Sequence, residues 1–267
     1  MQNREIWYQF HNWEMDDSTY MIVPDRTDRR ALGLSARDTV LQLLAGQAVQ
    51  EGIAKLSDST GCFALEALLD SRISAAIYDD LSIDPGWKEE HWILTEDGEV
   101  KPVDLSTFVA TNPEQRFSRS DCLRHPASTS WCLRGFLSAV VSPAVKESLS
   151  KALGTPVDFA SVEIARYRNG HYLRRHSDTF EDRCLGLVWF FSDFWRPGEG
   201  GELVADSRSG EAVCVPPVAG TVACIPIRPG NYHQVALVRS QTWIRYSIAT
   251  HYRVASGTSQ SANSIHV

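Results

Sequence analysis

Two stretches in the first third of the chain repeat apolar residues at helical spacing. From Ser35 onwards, apolar residues recur every three to four positions as far as Ile53, and serine is a residue type that favours a helix N-cap. A second stretch, from Gly61 to Tyr78, spaces phenylalanine, leucine and isoleucine in the same way. The pattern therefore predicts two helices whose apolar sides lie in a core.

The middle of the chain carries a hairpin signal and then a polar stretch. Residues 91–103 place two apolar segments on either side of Asp97-Gly98, a strong turn sequence, and so predict a β-hairpin. Residues 104–130 are polar with little periodicity. They are interpreted as a long loop of the kind that often covers a site.

The second half of the chain changes to short strands. Ser142-Pro143 predicts the start of a helix that stops at Gly154, because proline suits the first helical position and glycine suits a helix end. Strands are predicted beyond it at residues 158–168, 184–192, 201–205, 212–215, 221–227, 232–238 and 242–253. Short strands separated by Gly and Pro turns are typical of a sandwich or barrel, and the cupin-type jelly-roll is one such fold.

Composition and charge narrow the class of protein. With 267 residues, 43% of them hydrophobic, the chain can bury a sizeable core. A formal net charge of −7 argues against a nucleic-acid binder, because phosphate neutralisation needs clustered Lys and Arg. No apolar run approaches the ~20 residues that span a bilayer, and the first residues lack a signal peptide's apolar region. We therefore expect a cytoplasmic protein that binds neither nucleic acid nor membrane, and its oligomeric state stays open.

Candidate chemistry is concentrated in residues 166–178, which end in His176-Ser177-Asp178. On an extended segment, residues two apart project from the same face, so the imidazole of His176 and the carboxylate of Asp178 can reach one metal ion. His233 follows after an interval that a few antiparallel strands would fill in returning to the same place. Two His and one carboxylate on one face of the metal is the arrangement of non-haem Fe(II) oxygenases.

The order of motifs around these residues resembles that of a known family. The motifs, in chain order, are Tyr167, Gly170, the His176-x-Asp178 pair, Gly200-Gly201-Glu202-Leu203, Pro217-x-x-Gly220, His233 and Arg245-Tyr246-Ser247. Over residues 136–252 the chain resembles the iron- and 2-oxoglutarate-dependent dioxygenases of the prolyl-hydroxylase-like branch. The resemblance implies a mainly β fold with flanking helices, built on a double-stranded β-helix of the jelly-roll, cupin-like type.

The resemblance also implies an organisation of the chain. Residues 131–254 would form the jelly-roll core, and residues 1–130 a helical and loop extension packed on it. The aromatic-rich residues 6–20 are interpreted as an arm on the domain surface, with a substrate entrance as the alternative. Residues 255–267 are Ser-rich and are expected to form a disordered tail.

Cofactors and site residues follow from the same resemblance. It implies Fe(II) bound by His176, Asp178 and His233, with 2-oxoglutarate and O2 as co-substrates. Arginine offers a planar fork of donors for a carboxylate, so Arg245 is expected to bind the far carboxylate of 2-oxoglutarate. Ser247 would add a hydrogen bond, and Tyr167 would contact the co-substrate.

Alternatives stay open at three points. Arg239 is the second candidate for the carboxylate-binding cation, although it lies in a polar turn. His171 and His251 are interpreted as surface or hydrogen-bonding residues, because the ligand set is complete without them.

The predicted activity is hydroxylation of an unactivated C–H bond of a small molecule, such as an amino acid or natural-product intermediate, with release of succinate and CO2. A protein or peptide hydroxylase of the prolyl type and a non-catalytic jelly-roll binding module are the alternatives.

Overall fold

The computed structural model describes residues 26–56, 61–206 and 212–255. Its helices are α1 Arg26–Ala45, α2 Gln47–Leu56, α3 Ser71–Ile83, α4 Leu105–Ala110, α5 Trp131–Val140 and α6 Pro143–Leu153. Its strands are β1 Phe63–Leu65, β2 Trp87–Leu94, β3 Val100–Val103, β4 Arg116–Leu123, β5 Val157–Tyr167, β6 Tyr172–His176, β7 Arg183–Phe190, β8 Leu203–Ala205, β9 Val213–Val215, β10 Val222–Pro226, β11 His233–Val235 and β12 Arg245–Val254. The predicted arm at residues 6–20 and the predicted tail after residue 255 lie outside these ranges.

The strands of the described residues form one antiparallel sheet that nearly closes on itself. Its main path runs β1-β10-β7-β12-β5-β4-β6-β11-β8-β9, and the β2–β3 hairpin joins it through β4. The end strands β1 and β9 approach each other. The result is a barrel-like sheet with flanking helices, consistent with a jelly-roll, so the predicted mainly β fold class is confirmed.

A helical layer packs on the outside of the sheet. α1 lies along α5, and a Cβ added to Gly135 would come within 2.0 Å of the Gly33 carbonyl oxygen, so this approach needs glycine. The rings of Phe136 on α5 and Trp189 on β7 meet edge to face at 5.1 Å. Full burial of one such large side chain contributes about 2–3 kcal/mol, so this layer is a main source of stability.

The first predicted helix has different boundaries in the structure. α1 is already helical at Arg26, so Ser35 lies inside the helix and the predicted N-cap is wrong. The helical stretch is also divided, because Gly46 separates α1 from α2. The predicted apolar stripe nevertheless packs in the core, where Val40, Leu44 and Ile53 are buried.

The second predicted helix is wrong in its first half. Residues 63–65 form β1, which pairs with residues 222–224 of β10. The helix α3 begins only at Ser71, after Asp70 caps it by accepting a hydrogen bond from the Arg72 amide at 2.9 Å. A short apolar run is compatible with either structure, and the pairing with a distant strand decides between them.

The predicted loop at residues 104–130 is also wrong, because it contains α4 and β4. β4 lies within the sheet and pairs with β2, β5 and β6. Asp121 on β4 is only 1% exposed and accepts hydrogen bonds of 2.7 Å from Nε of Arg166 and Nε of Arg168. β4 therefore contains polar residues that are paired within the sheet, and for this reason its sequence lacks the hydrophobic pattern that predicts a strand.

The remaining predictions of local structure are confirmed. The hairpin forms between β2 and β3, with Gly98 at a φ of +84° in its turn. α6 is capped by Ser142 and followed by left-handed Gly154. The predicted strands of the second half are present, with ends shifted by up to three residues. No helix in the described part of the chain is long and apolar enough to cross a membrane.

Candidate active site

The three predicted metal ligands lie together where β6 meets β11. His176 ends β6, His233 begins β11, and the two are directly opposite in the strand pairing. Asp178 follows β6 and lies between them. Nε2 of His176 is 3.5 Å from its Oδ1, and Nε2 of His233 is 3.3 Å from its Oδ2. One potential ligand atom from each residue lies within 4.8 Å of the other two, as binding of one ion requires.

The electrostatics of this group suit a divalent cation. Burial raises the pKa of Asp178, but hydrogen bonds from His176, His233 and His251 outweigh it and hold the pKa well below its usual range. Burial lowers the pKa of His233, which favours the neutral imidazole. Asp178 therefore presents an ionised carboxylate and His233 an uncharged imidazole, the forms in which these side chains bind metals. For His176, burial lowers the pKa, but the hydrogen bond with Asp178 outweighs burial and raises it, so a metal ion would displace a proton there.

The orientation of His176 is set by the backbone. Its Nδ1 lies 2.8 Å from the carbonyl oxygen of Arg174, so this nitrogen carries the proton and donates it. When the ring is neutral, Nε2 therefore carries the lone pair on the side of Asp178, where a metal ion would be bound. Arg174 itself points away, because its guanidinium donates to the carbonyls of Pro113 and Glu114.

His251 is a site residue whose position the sequence argument did not identify. It is buried on β12, with Nε2 3.4 Å from Oδ2 of Asp178 and Nδ1 3.1 Å from Oγ of Ser161. Of the two interpretations offered for it, hydrogen bonding holds and surface exposure does not. The available signal was strand alternation, since His251 lies on the same face of β12 as Arg245 and Ser247.

Arg245 is a buried cation that forms no ion pair with the described residues. It is 2% exposed, and its Nε and Nη1 have no hydrogen-bond partner among the described residues. Its guanidinium lies 4.9 Å from the ring of Tyr167 and 5.0 Å from that of Phe190. Burial lowers its pKa to about 10. Such a group is costly unless an anion binds it, so this part of the barrel fits a carboxylate ligand.

The two other predicted co-substrate residues lie beside Arg245. Tyr167 is its partner in the β5–β12 pairing, and Ser247 is the next residue on the same face of β12. Both are buried. The alternative cation, Arg239, is exposed and its carbonyl accepts a hydrogen bond from Asn169. The structure therefore groups Tyr167, Arg245 and Ser247 and leaves Arg239 outside.

A cavity of about 420 Å³ opens beside the three candidate ligands. Its walls come from β2, β4, β5 and β6, and both His176 and Asp178 line it. Arg124 and Glu90 also line the cavity, and they pair with each other through hydrogen bonds of 2.6, 2.9 and 3.0 Å. The volume is in the range of sites that bind small molecules.

A second cluster of Glu89, Asp121 and His171 has metal-site spacing but different partners. Asp121 accepts hydrogen bonds from Arg166 and Arg168, and Glu89 is paired with Arg119. Because guanidinium groups already neutralise both carboxylates, we assign no metal to this cluster.

Part of the chain matches the sequence profile of a known protein family. Residues 162–253 match the profile of the 2OG-Fe(II) oxygenase superfamily. The match includes all six predicted site residues, namely Tyr167, His176, Asp178, His233, Arg245 and Ser247. No curated protein matches the chain.

Solved structures share its fold at low sequence identity. A Pseudomonas putida prolyl-4-hydroxylase aligns with a TM-score of 0.56 and 16% identity, over 77% of this chain and 99% of its own. A Trichoplax adhaerens prolyl hydroxylase, solved with a peptide fragment of the hypoxia inducible factor oxygen degradation domain, aligns at 0.55 and 14%, over 86% and 94%. The non-haem alpha-ketoglutarate-dependent epimerase SnoN from nogalamycin biosynthesis aligns at 0.52 and 15%, over 79% and 84%.

Family, fold and local chemistry agree. Enzymes of this superfamily use Fe(II), 2-oxoglutarate and O2. The converging His, carboxylate and His group suits Fe(II), and the buried guanidinium suits the far carboxylate of 2-oxoglutarate. The chain therefore resembles the oxygenases of the 2OG-Fe(II) oxygenase superfamily, whose sequence signature it matches in residues 162–253.

Proposed function

We propose that His176, Asp178 and His233 bind one Fe(II) ion, that Arg245 binds the far carboxylate of 2-oxoglutarate, and that the enzyme hydroxylates a C–H bond of a small molecule. One observation carries this proposal. A complete two-His, one-carboxylate group occurs in the same barrel as a buried guanidinium whose Nε and Nη1 have no hydrogen-bond partner in the described part of the chain. A protein that only bound a partner would need neither feature.

The bound cofactors would supply the oxidation, in which R–H, 2-oxoglutarate and O2 give R–OH, succinate and CO2. His176, Asp178 and His233 would hold Fe(II), which would then bind the 2-oxo acid and O2. Arg245 would orient the 2-oxo acid by donating hydrogen bonds to its far carboxylate. The rings of Tyr167 and Phe190 limit the movement of the guanidinium, and Ser247 is placed to add a hydroxyl donor.

His251 has the role of a positioning residue in this proposal. Its Nε2–H donates to Oδ2 of Asp178, while Ser161 holds the opposite side of its ring. Such partners of a metal ligand typically contribute 10- to 100-fold in metal affinity.

The prediction for His251 is therefore a loss of metal affinity without loss of a ligand. We expect His251→Leu to bind Mn(II) about 10- to 100-fold more weakly than the unmodified protein. His251→Gln keeps a donor and should recover part of the affinity. Calorimetric titration of the three proteins without O2 measures the effect. Equal affinities in all three would show that His251 does not position Asp178.

The cavity supports a small-molecule substrate. Its volume of about 420 Å³ matches an amino-acid-sized or somewhat larger ligand. The peptide-bound structure of the Trichoplax enzyme motivates the alternative, a peptide hydroxylase of the prolyl type. The match to an enzyme superfamily favours either activity over a non-catalytic binding module.

The activity test compares the two substrate classes directly. The protein is supplied with Fe(II), 2-oxoglutarate and O2, and is offered a library of amino acids and small amines or a library of proline-containing peptides. We expect succinate release and a product heavier by one oxygen atom from the small-molecule library, and neither from Asp178→Ala. Oxygen incorporation into peptides alone would support the alternative instead.

A further inference from the structure

Glu163 occupies the middle of the cavity wall formed by β5. It lies on the same strand face as Tyr167, Ala165 and Ser161, and it lines the cavity together with His176 and Asp178. Its side chain is 38% exposed. A carboxylate in this position is accessible to a molecule bound beside the candidate metal site.

Glu163 is ion-paired with Arg183 and His251 but accepts no hydrogen bond from them. The nearest cationic groups are Nη1 of Arg183 and Nδ1 of His251, each 3.8 Å from Oε1. Both distances exceed hydrogen-bond length, and Nδ1 of His251 is closer to Ser161, at 3.1 Å. Among the described residues no hydrogen bond to the Glu163 carboxylate is formed. The side chain of Arg183 is 0% exposed, so a substrate would meet Glu163 and not Arg183.

The other acidic groups of the cavity are already engaged. Glu90 accepts three hydrogen bonds from Arg124, and Asp178 lies against three imidazoles. Glu163 is not in the group of candidate metal ligands within 4.8 Å of one another, and the ring of His251 separates it from Asp178. The site therefore has one carboxylate for the metal and a second, partly exposed one that can still accept hydrogen bonds from a ligand.

The surroundings indicate what kind of ligand would bind. Arg124, the arginine that lines the cavity, is committed to Glu90, which leaves a substrate anion no guanidinium on that wall. Apolar side chains, among them Phe117, Leu173 and Phe180, form much of the remaining wall. A carbon skeleton with one cationic nitrogen matches these features.

We propose that Glu163 binds a cationic nitrogen of the substrate, an ammonium or guanidinium group, so that the enzyme acts on a small amine or guanidine. This inference rests on the proposed function and makes its substrate class specific. Because one imidazole ring separates Glu163 from Asp178, the oxidised carbon would lie a few bonds from the charged nitrogen. A charge-assisted hydrogen bond of this kind would change affinity on the order of 10- to 100-fold.

The experiment measures binding without turnover. Protein loaded with Mn(II) and 2-oxoglutarate is incubated with a set of small primary amines and guanidines, including lysine and arginine, and with their neutral N-acylated counterparts. Retained compounds are quantified by mass spectrometry after rapid gel filtration. We expect the unmodified protein to retain cationic members at least about 10-fold better than neutral ones. Glu163→Gln should lose this preference.

A matched variant controls for the change in net charge. Glu147 is exposed on α6, outside the cavity lining, so Glu147→Gln should behave as the unmodified protein does. The inference is overturned if Glu163→Gln keeps the preference, if neutral compounds bind as well as cationic ones, or if no amine is retained. The affinity for 2-oxoglutarate, measured on the same samples, shows whether a negative result concerns this inference alone or the proposed function as well. Normal 2-oxoglutarate binding without amine preference defeats this inference alone, whereas absent 2-oxoglutarate binding defeats the proposed function.

Discussion

Replacing Arg245 with alanine is expected to weaken 2-oxoglutarate binding on the order of 30- to 5000-fold, while metal binding stays near normal. Truncating one partner of a buried, hydrogen-bonded charge pair typically costs about 2–5 kcal/mol. Arg245 is buried between the rings of Tyr167 and Phe190, so water cannot easily replace it. Titration of the Mn(II)-loaded protein with 2-oxoglutarate in the absence of O2 measures the loss.

Two further variants make this result specific. Arg239→Ala removes the exposed arginine of the neighbouring turn and should leave 2-oxoglutarate affinity unchanged. Arg245→Met removes the charge but keeps an unbranched apolar side chain. It should raise the melting temperature of the ligand-free protein, since a buried charge without an anion destabilises the fold, and abolish the stabilisation by 2-oxoglutarate. A normal affinity in Arg245→Ala with a defect in Arg239→Ala would show that Arg239 binds the carboxylate.

Alanine replacement of His176, Asp178 or His233 is expected to lower metal affinity by more than about 100-fold in each case. Loss of a residue that only supports a ligand already costs about 10- to 100-fold, so loss of a ligand should cost more. The three contribute atoms within 4.8 Å of one another, and the proposed site has no fourth protein ligand to compensate. Metal content after anaerobic loading with Fe(II), followed by titration with Mn(II), measures the effect.

The matched control is His125→Ala. His125 is exposed and lines the same cavity without belonging to the ligand group, so this variant should bind metal normally. A specific rival outcome exists because His251 lies 3.4 Å from Oδ2 of Asp178, close to the 3.3 Å of His233. Undiminished metal binding in His233→Ala, combined with severe loss in His251→Leu, would make His251 the third ligand and refute the assignment of His233.

Local residue preferences and the order of the motifs were sufficient to predict much of the structure of the second half of the chain. Ser142, Pro143 and Gly154 define α6 through capping and backbone preferences that act within a few residues. Short apolar runs between Gly and Pro turns predicted the strands of residues 157–254 to within three residues at their ends, except β6, which was not among the predicted strands. The ordered motifs from Tyr167 to Ser247 pointed to the same superfamily whose profile residues 162–253 match.

Long-range pairing decided what local patterns could not. The sequence of β4 resembles a polar loop because it contains Asp121. In the sheet this carboxylate accepts hydrogen bonds from Arg166 and Arg168, 45 and 47 residues further along the chain. The short strand β1 exists only because β10 lies beside it. In both cases the residues that stabilise the strand are distant in sequence, so their effect cannot appear in a window of local hydrophobicity.

For the candidate active site too, some features follow from the sequence and others only from the tertiary structure. The sequence by itself determined which residue types are available for iron and 2-oxoglutarate, because their order along the chain follows the family's motifs. Only the tertiary structure decided that His251 contacts Asp178, and that among the described residues Nε of Arg245 has no hydrogen-bond partner and Glu163 has no hydrogen-bond donor. Whether a charged group has a partner depends on distances between strands, and those distances arise when the sheet closes and brings β5, β6, β11 and β12 together.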